Sequence, residues 1–232
     1  PTMPPEGLPR PEEMWSGAVA DASADSHPII ERTEEFEGRV WSVVRDRVGF
    51  GHHEATRDVI IHPGAVAIIA VDDEDRILLI RQYRHPVAMY MFEPPAGLLD
   101  ATGELPLETA RRELAEEAGV RASQWNVLVD LFNSPGGSSE AIRVFLARGL
   151  ESLPGGRPHT GEAEEAHLPQ AWVPLAGGVD LVLHGRVGSP SAVAGILALA
   201  ALPTRNEGDL RPANDPWNAR AWLEANSRVR RV

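Results

Sequence analysis

Residues 97–120 read GLLDATGELPLETARRELAEEAGV, and the spacing within them decides how the rest of the chain is read. At 100° per residue Leu107, Ala110, Leu114 and Ala118 fall in one stripe, so residues 105–118 are expected to form a helix packed on a core. Pro106 is tolerated in the first turn, where a missing N–H breaks no helical bond. Glu113, Glu116 and Glu117 then lie together beside the stripe, at i, i+3 and i+4. Three carboxylates so placed raise one another's pKa values unless a cation stands between them. Arg112 relieves part of that repulsion and solvent another part. An acidic helix face of this kind is ordinarily a solvated one. The alternative is a hard divalent cation: Mg²⁺ prefers carboxylate and carbonyl oxygens and keeps waters, which leaves room for phosphates.

On the N-terminal side, residues 65–83 read AVAIIAVDDEDRILLIRQY. Two apolar runs flank an acidic turn, and the pattern predicts a β-hairpin. Further strands are expected at 125–132, 141–146 and 171–174, and a buried helix at 191–202. Residues 151–168 form a long polar loop, a feature that is either disordered or functional in a compact domain. Before all of these, residues 29–61 are strand-like. Val40, Val43, Val44, Val59, Ile60 and Ile61 supply β-branched side chains around a turn at 49–51, which predicts a small antiparallel sheet. About thirty residues cannot bury much surface alone, so that sheet needs the main domain or a second subunit to lie against. The expected organisation is an arm at 1–27, a small β domain at 28–62 serving dimerisation, a catalytic domain at 63–205 and a tail at 206–232 that ends in exposed arginines.

Composition narrows the function classes. The chain has 232 residues, enough for a sizeable core, and 34 acidic against 22 basic side chains give a formal charge of -12. Nucleic-acid binding needs a basic footprint, so no such partner is expected. There is no cysteine, which excludes disulfides, thiolate metal sites and thiol nucleophiles. No apolar run approaches the ~20 residues needed to span a bilayer, and the proline-rich start lacks a signal-peptide core. A cytoplasmic protein without membrane partners is expected. The histidines show no HExxH-type spacing, and the glycine pairs match neither a P-loop nor a dinucleotide-binding fingerprint.

The full pattern from Gly97 is Gly-x6-Glu-x7-Arg-Glu-Leu-x-Glu-Glu-x-Gly-Val, with Glu104, Arg112, Glu113, Leu114, Glu116, Glu117, Gly119 and Val120 at the fixed positions. It resembles the Nudix hydrolase box, whose usual form has five residues between the first glycine and glutamate. The one extra residue lies before the helix and leaves the carboxylate spacing intact. The resemblance implies an α/β fold, a Nudix α/β/α sandwich with a mixed sheet, here preceded by the small N-terminal antiparallel sheet. It implies Glu113, Glu116 and Glu117 as metal ligands, the Ala96 carbonyl completing the site and Arg112 orienting Glu113. Two or three Mg²⁺ ions would be bound, with Mn²⁺ able to substitute.

Pro135, fifteen residues beyond Val120, resembles the ADP-ribose pyrophosphatase subgroup. The stretches RQYRH (81–85), EPPAGLLD (93–100), VLVDLFNSPGG (127–137) and TRDVIIHPGAVAI (56–68) are similar to bacterial, particularly actinobacterial, members of it. Pro94 stands where those relatives usually have leucine. The resemblance implies a homodimer that hydrolyses ADP-ribose, a small nucleoside diphosphate sugar, to AMP and ribose 5-phosphate. It implies a glutamate base in the 151–168 loop, where Glu162, Glu164 and Glu165 are available and the Glu-Glu-Ala pattern favours Glu165. It further implies Arg84 as a phosphate contact and Arg57 as a guanidinium stacked on adenine from the neighbouring subunit. Trp41 is a candidate for the other face of the base, against core packing, and Glu140 for a substrate-binding or supporting role. Two alternatives stay open: a broader nucleoside-diphosphate-sugar or dinucleotide pyrophosphatase, and a non-catalytic module that senses ADP-ribose.

Overall fold

The computed structural model describes residues 17, 19–24, 26–158, 168–202 and 210–230. Three antiparallel strands come first, β1 (Ile29–Glu37), β2 (Ser42–Phe50) and β3 (His53–Ile61), in the order β1-β2-β3. This is the expected N-terminal sheet, with its second turn at 51–52. Residues 1–16 of the expected arm lie outside the described residues.

The body is built on β4 (Ala65–Ala70) and its neighbours: β7 (Ala96–Leu98), β8 (Val120–Phe132), β9 (Ala141–Ser152) and β11 (Arg211–Pro212), in the order β11-β8-β9-β4-β7. Strand β4 pairs with β9 in parallel and with β7 antiparallel, so this sheet is mixed. A second sheet holds β10 (Gln170–Pro174), β5 (Arg76–Arg84) and β6 (Met89–Glu93), with β5 central. Among the described residues four α-helices complete the order: α1 (Pro106–Ala118), α2 (Leu175–Leu183), α3 (Pro190–Ala200) and α4 (Asn218–Ala225).

Period-2 alternation along β4 explains its unbroken apolar run. Val66, Ile68 and Ala70 pack with Ala110, Leu114 and Ala118 of α1, whereas Ala67 and Ile69 pack with Ala192, Ile196 and Leu199 of α3. A strand buried on both faces reads as continuously hydrophobic. The sheet is thus covered by α1 on one face and α3 on the other, the sandwich expected. Gly195 lets α3 approach closely, since a Cβ there would stand 2.6 Å from the Ile69 side chain.

Two expectations are corrected. The runs around Asp72 are not a hairpin: β4 and β5 enter different sheets and meet only at the bridge between Val71 and Ile77. Strand β4 and the first half of β5, Ile77 to Ile80, are buried on both faces, and each strand already has two neighbours, β9 and β7 for one, β10 and β6 for the other. The expected exposed arginines of the tail are half-buried at Arg228 and Arg230, while Arg231 lies outside the described residues. Arg143 of β9 is 3% exposed and ion-paired to Asp130, and its guanidinium also donates to the Asp215 carbonyl at 2.6 Å and stacks 4.8 Å from the Trp217 ring. A buried charge must be fully satisfied, and the tail supplies those partners. Arg230 is drawn in as well, donating to the Gly38 carbonyl at 2.7 Å.

Candidate active site

Helix α1 carries the acidic cluster, and its two ends fix its orientation. Pro106 opens it and the Glu108 carboxylate accepts the Leu105 N–H at 3.0 Å. Gly119 closes it at φ 71°, a left-handed conformation that favours glycine, and a Cβ there would fall 2.9 Å from the Arg157 side chain. Of the expected stripe, Ala110, Leu114 and Ala118 are buried, and Leu107 is half-buried against them. Glu113 and Glu117, one turn apart, are also buried, at 8% and 4% exposure.

Buried carboxylates need hydrogen-bond donors. Arg112 supplies a fork: Nε and Nη2 donate to the two Glu104 oxygens at 3.1 Å each, and Nη1 donates to Glu113 at 2.7 Å and Glu116 at 2.9 Å. Bonding to Arg112 holds the Glu104 carboxyl below its ordinary range, and Glu104 in turn raises Arg112. Glu117 accepts the Ala96 N–H at 2.8 Å, which ties the helix to β7. Gly97 is required next to it, because any Cβ at that position would overlap the Glu113 side chain. The first glycine of the motif is therefore a matter of close approach between β7 and α1.

The three glutamates, Gln82, Arg84 and Asp100 open on a cavity of about 530 Å³. Arg84, Ala96, Gly97 and Leu98 also wall a neighbouring cavity of about 310 Å³ that adds His62, Asn133, Glu140 and Ser191. Arg84 is aimed by Glu93, which is 6% exposed and accepts from it at 2.6 and 2.8 Å. Glu140 accepts from the Asn133 amide at 2.6 Å, and its other oxygen is 3.9 Å from His62 Nε2. Burial pushes the His62 imidazole below its usual pKa, with Glu140 opposing. His62 Nδ1 accepts the Gly64 N–H at 3.0 Å, so the neutral ring carries its proton on Nε2.

The fold thus brings Glu113, Glu116, Glu117, Arg112, Ala96, Arg84 and Glu140 into two adjoining cavities. Arg57 and Trp41 are elsewhere in the single chain. Arg57 lines a third cavity with Pro135 and lies 5.7 Å from the Phe50 ring, whereas Trp41 packs 5.8 Å from Phe36 on the N-terminal sheet. Glu162, Glu164 and Glu165 lie outside the described residues. His62, Glu93 and Asn133 lie in stretches that carry the resemblance, but as single polar residues without a diagnostic spacing they received no role from the sequence.

The donor set is all hard oxygen: carboxylates on one helix face beside the β7 backbone, as Mg²⁺ prefers. Among the described residues no three Asp, Glu or His side chains are yet drawn together as a ligand cage. Arg112 engages Glu113 and Glu116, the Ala96 N–H engages Glu117, and all three carboxylates line the cavity. The residues fit a divalent cation.

Comparison with known proteins agrees with this geometry. The NUDIX domain model matches residues 61–182. The chain is 43% identical over 195 residues to an ADP-ribose pyrophosphatase of Mycobacterium tuberculosis, covering 84% of this chain and 92% of that protein. It is 40% identical over 122 residues to a methanol dehydrogenase activator of Bacillus methanolicus, covering 52% of this chain and 65% of that protein. A crystal structure of an ADP compounds hydrolase superposes with a TM-score of 0.64 at 23% identity, covering 90% of this chain and 100% of the other, and supports the fold. By the match of more than half its length and by the carboxylate helix itself, the chain belongs to the NUDIX domain family.

Proposed function

We propose that this protein hydrolyses the pyrophosphate bond of ADP-ribose, giving AMP and ribose 5-phosphate. One observation carries the reading: buried Glu113 and Glu117 line the same cavity as Arg84, a charge arrangement suited to a cation and a pyrophosphate side by side. Extensive identity to a mycobacterial ADP-ribose pyrophosphatase supports the choice of substrate. Glu113, Glu116, Glu117 and the Ala96 carbonyl would hold Mg²⁺ or Mn²⁺, two or three ions in all, which would offset phosphate charge and acidify water.

The chain's own residues do the rest. Arg112 orients Glu113 and Glu116, and Arg84, braced by Glu93, binds a phosphate oxygen with a planar fork of donors. Glu140, fixed by Asn133, contacts the substrate in the adjoining cavity. Glu165 takes the proton of the attacking water. Arg57 and Trp41 are assigned to the adenine, delivered from a second copy of the chain. That copy has a physical motive: Ile30, Phe36, Trp41, Phe50 and Ile60 of the N-terminal sheet are all exposed in the single chain. The homodimer is placed in the cytoplasm.

Comparing kcat/KM for ADP-ribose, ADP-glucose, NADH and dGTP tests the substrate. ADP-ribose is expected to lead. Equal or better turnover of the triphosphate rejects the assignment while leaving the family untouched. Glu165→Gln is expected to lower kcat by about 10²–10⁴-fold with KM nearly unchanged, as for a general base.

A further inference from the structure

The cavity between β3, the turn after β8 and the C-terminal tail differs in charge from the rest of this acidic molecule. It encloses about 370 Å³, and its walls include Arg57, Phe132, Gly136, Gly137, Leu223 and Arg228. It shares no residue with the two cavities at the carboxylate site. Arg57 enters from β3 and Arg228 from the segment after α4, parts of the chain far apart in sequence. Among the described residues no carboxylate forms an ion pair with either guanidinium, and Asp58, the acidic residue in the wall, is held by Arg45 at 2.8 Å.

The two arginines are positioned separately: Arg57 donates to the Thr56 carbonyl at 2.9 Å and lies 5.7 Å from the Phe50 ring, whereas the chain at Arg228 is tied down through Arg32. Asp46 of β2 is fully buried and accepts two bonds from Arg32, at 2.7 and 2.8 Å. The remaining arm of Arg32 donates to the Ser227 carbonyl at 2.8 Å, and the Arg228 N–H donates to the Leu223 carbonyl at 2.8 Å. The backbone at Arg228 is thus fastened to the sheet that carries Arg57. Holding two like charges in one cavity is unfavourable until an anion joins them, and the guanidinium fork matches a phosphate oxygen pair.

We propose that this cavity binds a phosphoryl group between Arg57 and Arg228. The group comes either from an extra phosphate at the nucleoside end of a bound nucleotide or from free phosphate. The inference shares Arg57 with the function proposed above, but it is read from anion binding rather than turnover, so each can fail alone.

The test uses the intact protein. Calorimetric titration with inorganic phosphate in EDTA compares the unaltered chain with Arg228→Gln, Arg228→Lys and Arg57→Gln. Loss of one charge-assisted contact is expected to weaken the phosphate by about tenfold or more, with Arg228→Lys keeping most of the affinity. In a second arm, kcat/KM is measured with Mg²⁺ for ADP-ribose and for ADP-ribose bearing an additional phosphate on its adenosine ribose. A loss in Arg228→Gln that is about tenfold larger for the phosphorylated substrate identifies the nucleotide as the source. Equal response of both substrates, with weakened inorganic phosphate, identifies the free anion. Should Arg228→Gln not fold, the titration of Arg57→Gln with inorganic phosphate in EDTA, which involves neither adenine nor turnover, decides alone: unchanged phosphate affinity there overturns the proposal. Unchanged phosphate binding together with an unchanged substrate ratio overturns the proposal.

Discussion

The side chain of Glu113 lies where a Cβ on residue 97 would be, so the smallest residue in the site is as constrained as the charged ones. Gly97→Ala is expected to push Glu113 off its position and lower kcat/KM by about 10²-fold, since misplacement near 1 Å costs that much. Thermal unfolding should change little, because β7 is short and at the edge of its sheet. A variant with full activity would show that Glu113 is not held where it is used. Glu117→Gln tests the neighbouring ligand by exchanging a charged oxygen for a neutral amide. Apparent Mg²⁺ affinity and turnover should fall together and recover partly at high Mg²⁺, whereas full activity at low Mg²⁺ would remove Glu117 from the metal site. These residues were legible in the sequence because a helix converts spacing into geometry, so Glu113, Glu116 and Glu117 could only share a face. His62 and Glu93 were not legible. Their partners, Glu140 and Arg84, are joined to them by sheet and loop packing, which leaves no period in the sequence.

Among the elements, α1 was the most legible, with its buried stripe, Pro106 start and Gly119 stop all carried by local chemistry. Strands β4 and β5 were found but mispaired, since two apolar runs around a turn look alike whether they join each other or separate sheets. Helix α2 went unseen because Gly177 and Gly178 break its helical propensity, and Gly178 is instead packed against Ile196 and Ile77. Helix α4 went unseen because one apolar residue, Leu223 at 7% exposure, holds its inner face. That gives α4 a direct test. Leu223→Ala is expected to destabilise the protein by roughly 2–5 kcal/mol and lower Tm by several degrees. A Tm unchanged within error would mean that the tail is not docked as described.

For the molecule as a whole, the N-terminal sheet leaves large apolar side chains exposed, and a second copy is expected to cover them. Sedimentation should show a dimer at micromolar concentration. A stable and active monomer would remove Arg57 and Trp41 from the substrate, because neither reaches the carboxylate cavity of its own chain. The central claim is narrower and independent of assembly: the carboxylate face of α1 serves metal-dependent cleavage of ADP-ribose. Incubating the purified protein with ADP-ribose, with Mg²⁺ or with EDTA, and separating the products measures it directly. AMP and ribose 5-phosphate in equal amounts, formed with Mg²⁺ and abolished by EDTA, is the predicted result. ADP-ribose bound but left intact in Mg²⁺ would contradict the account and point to a sensing module.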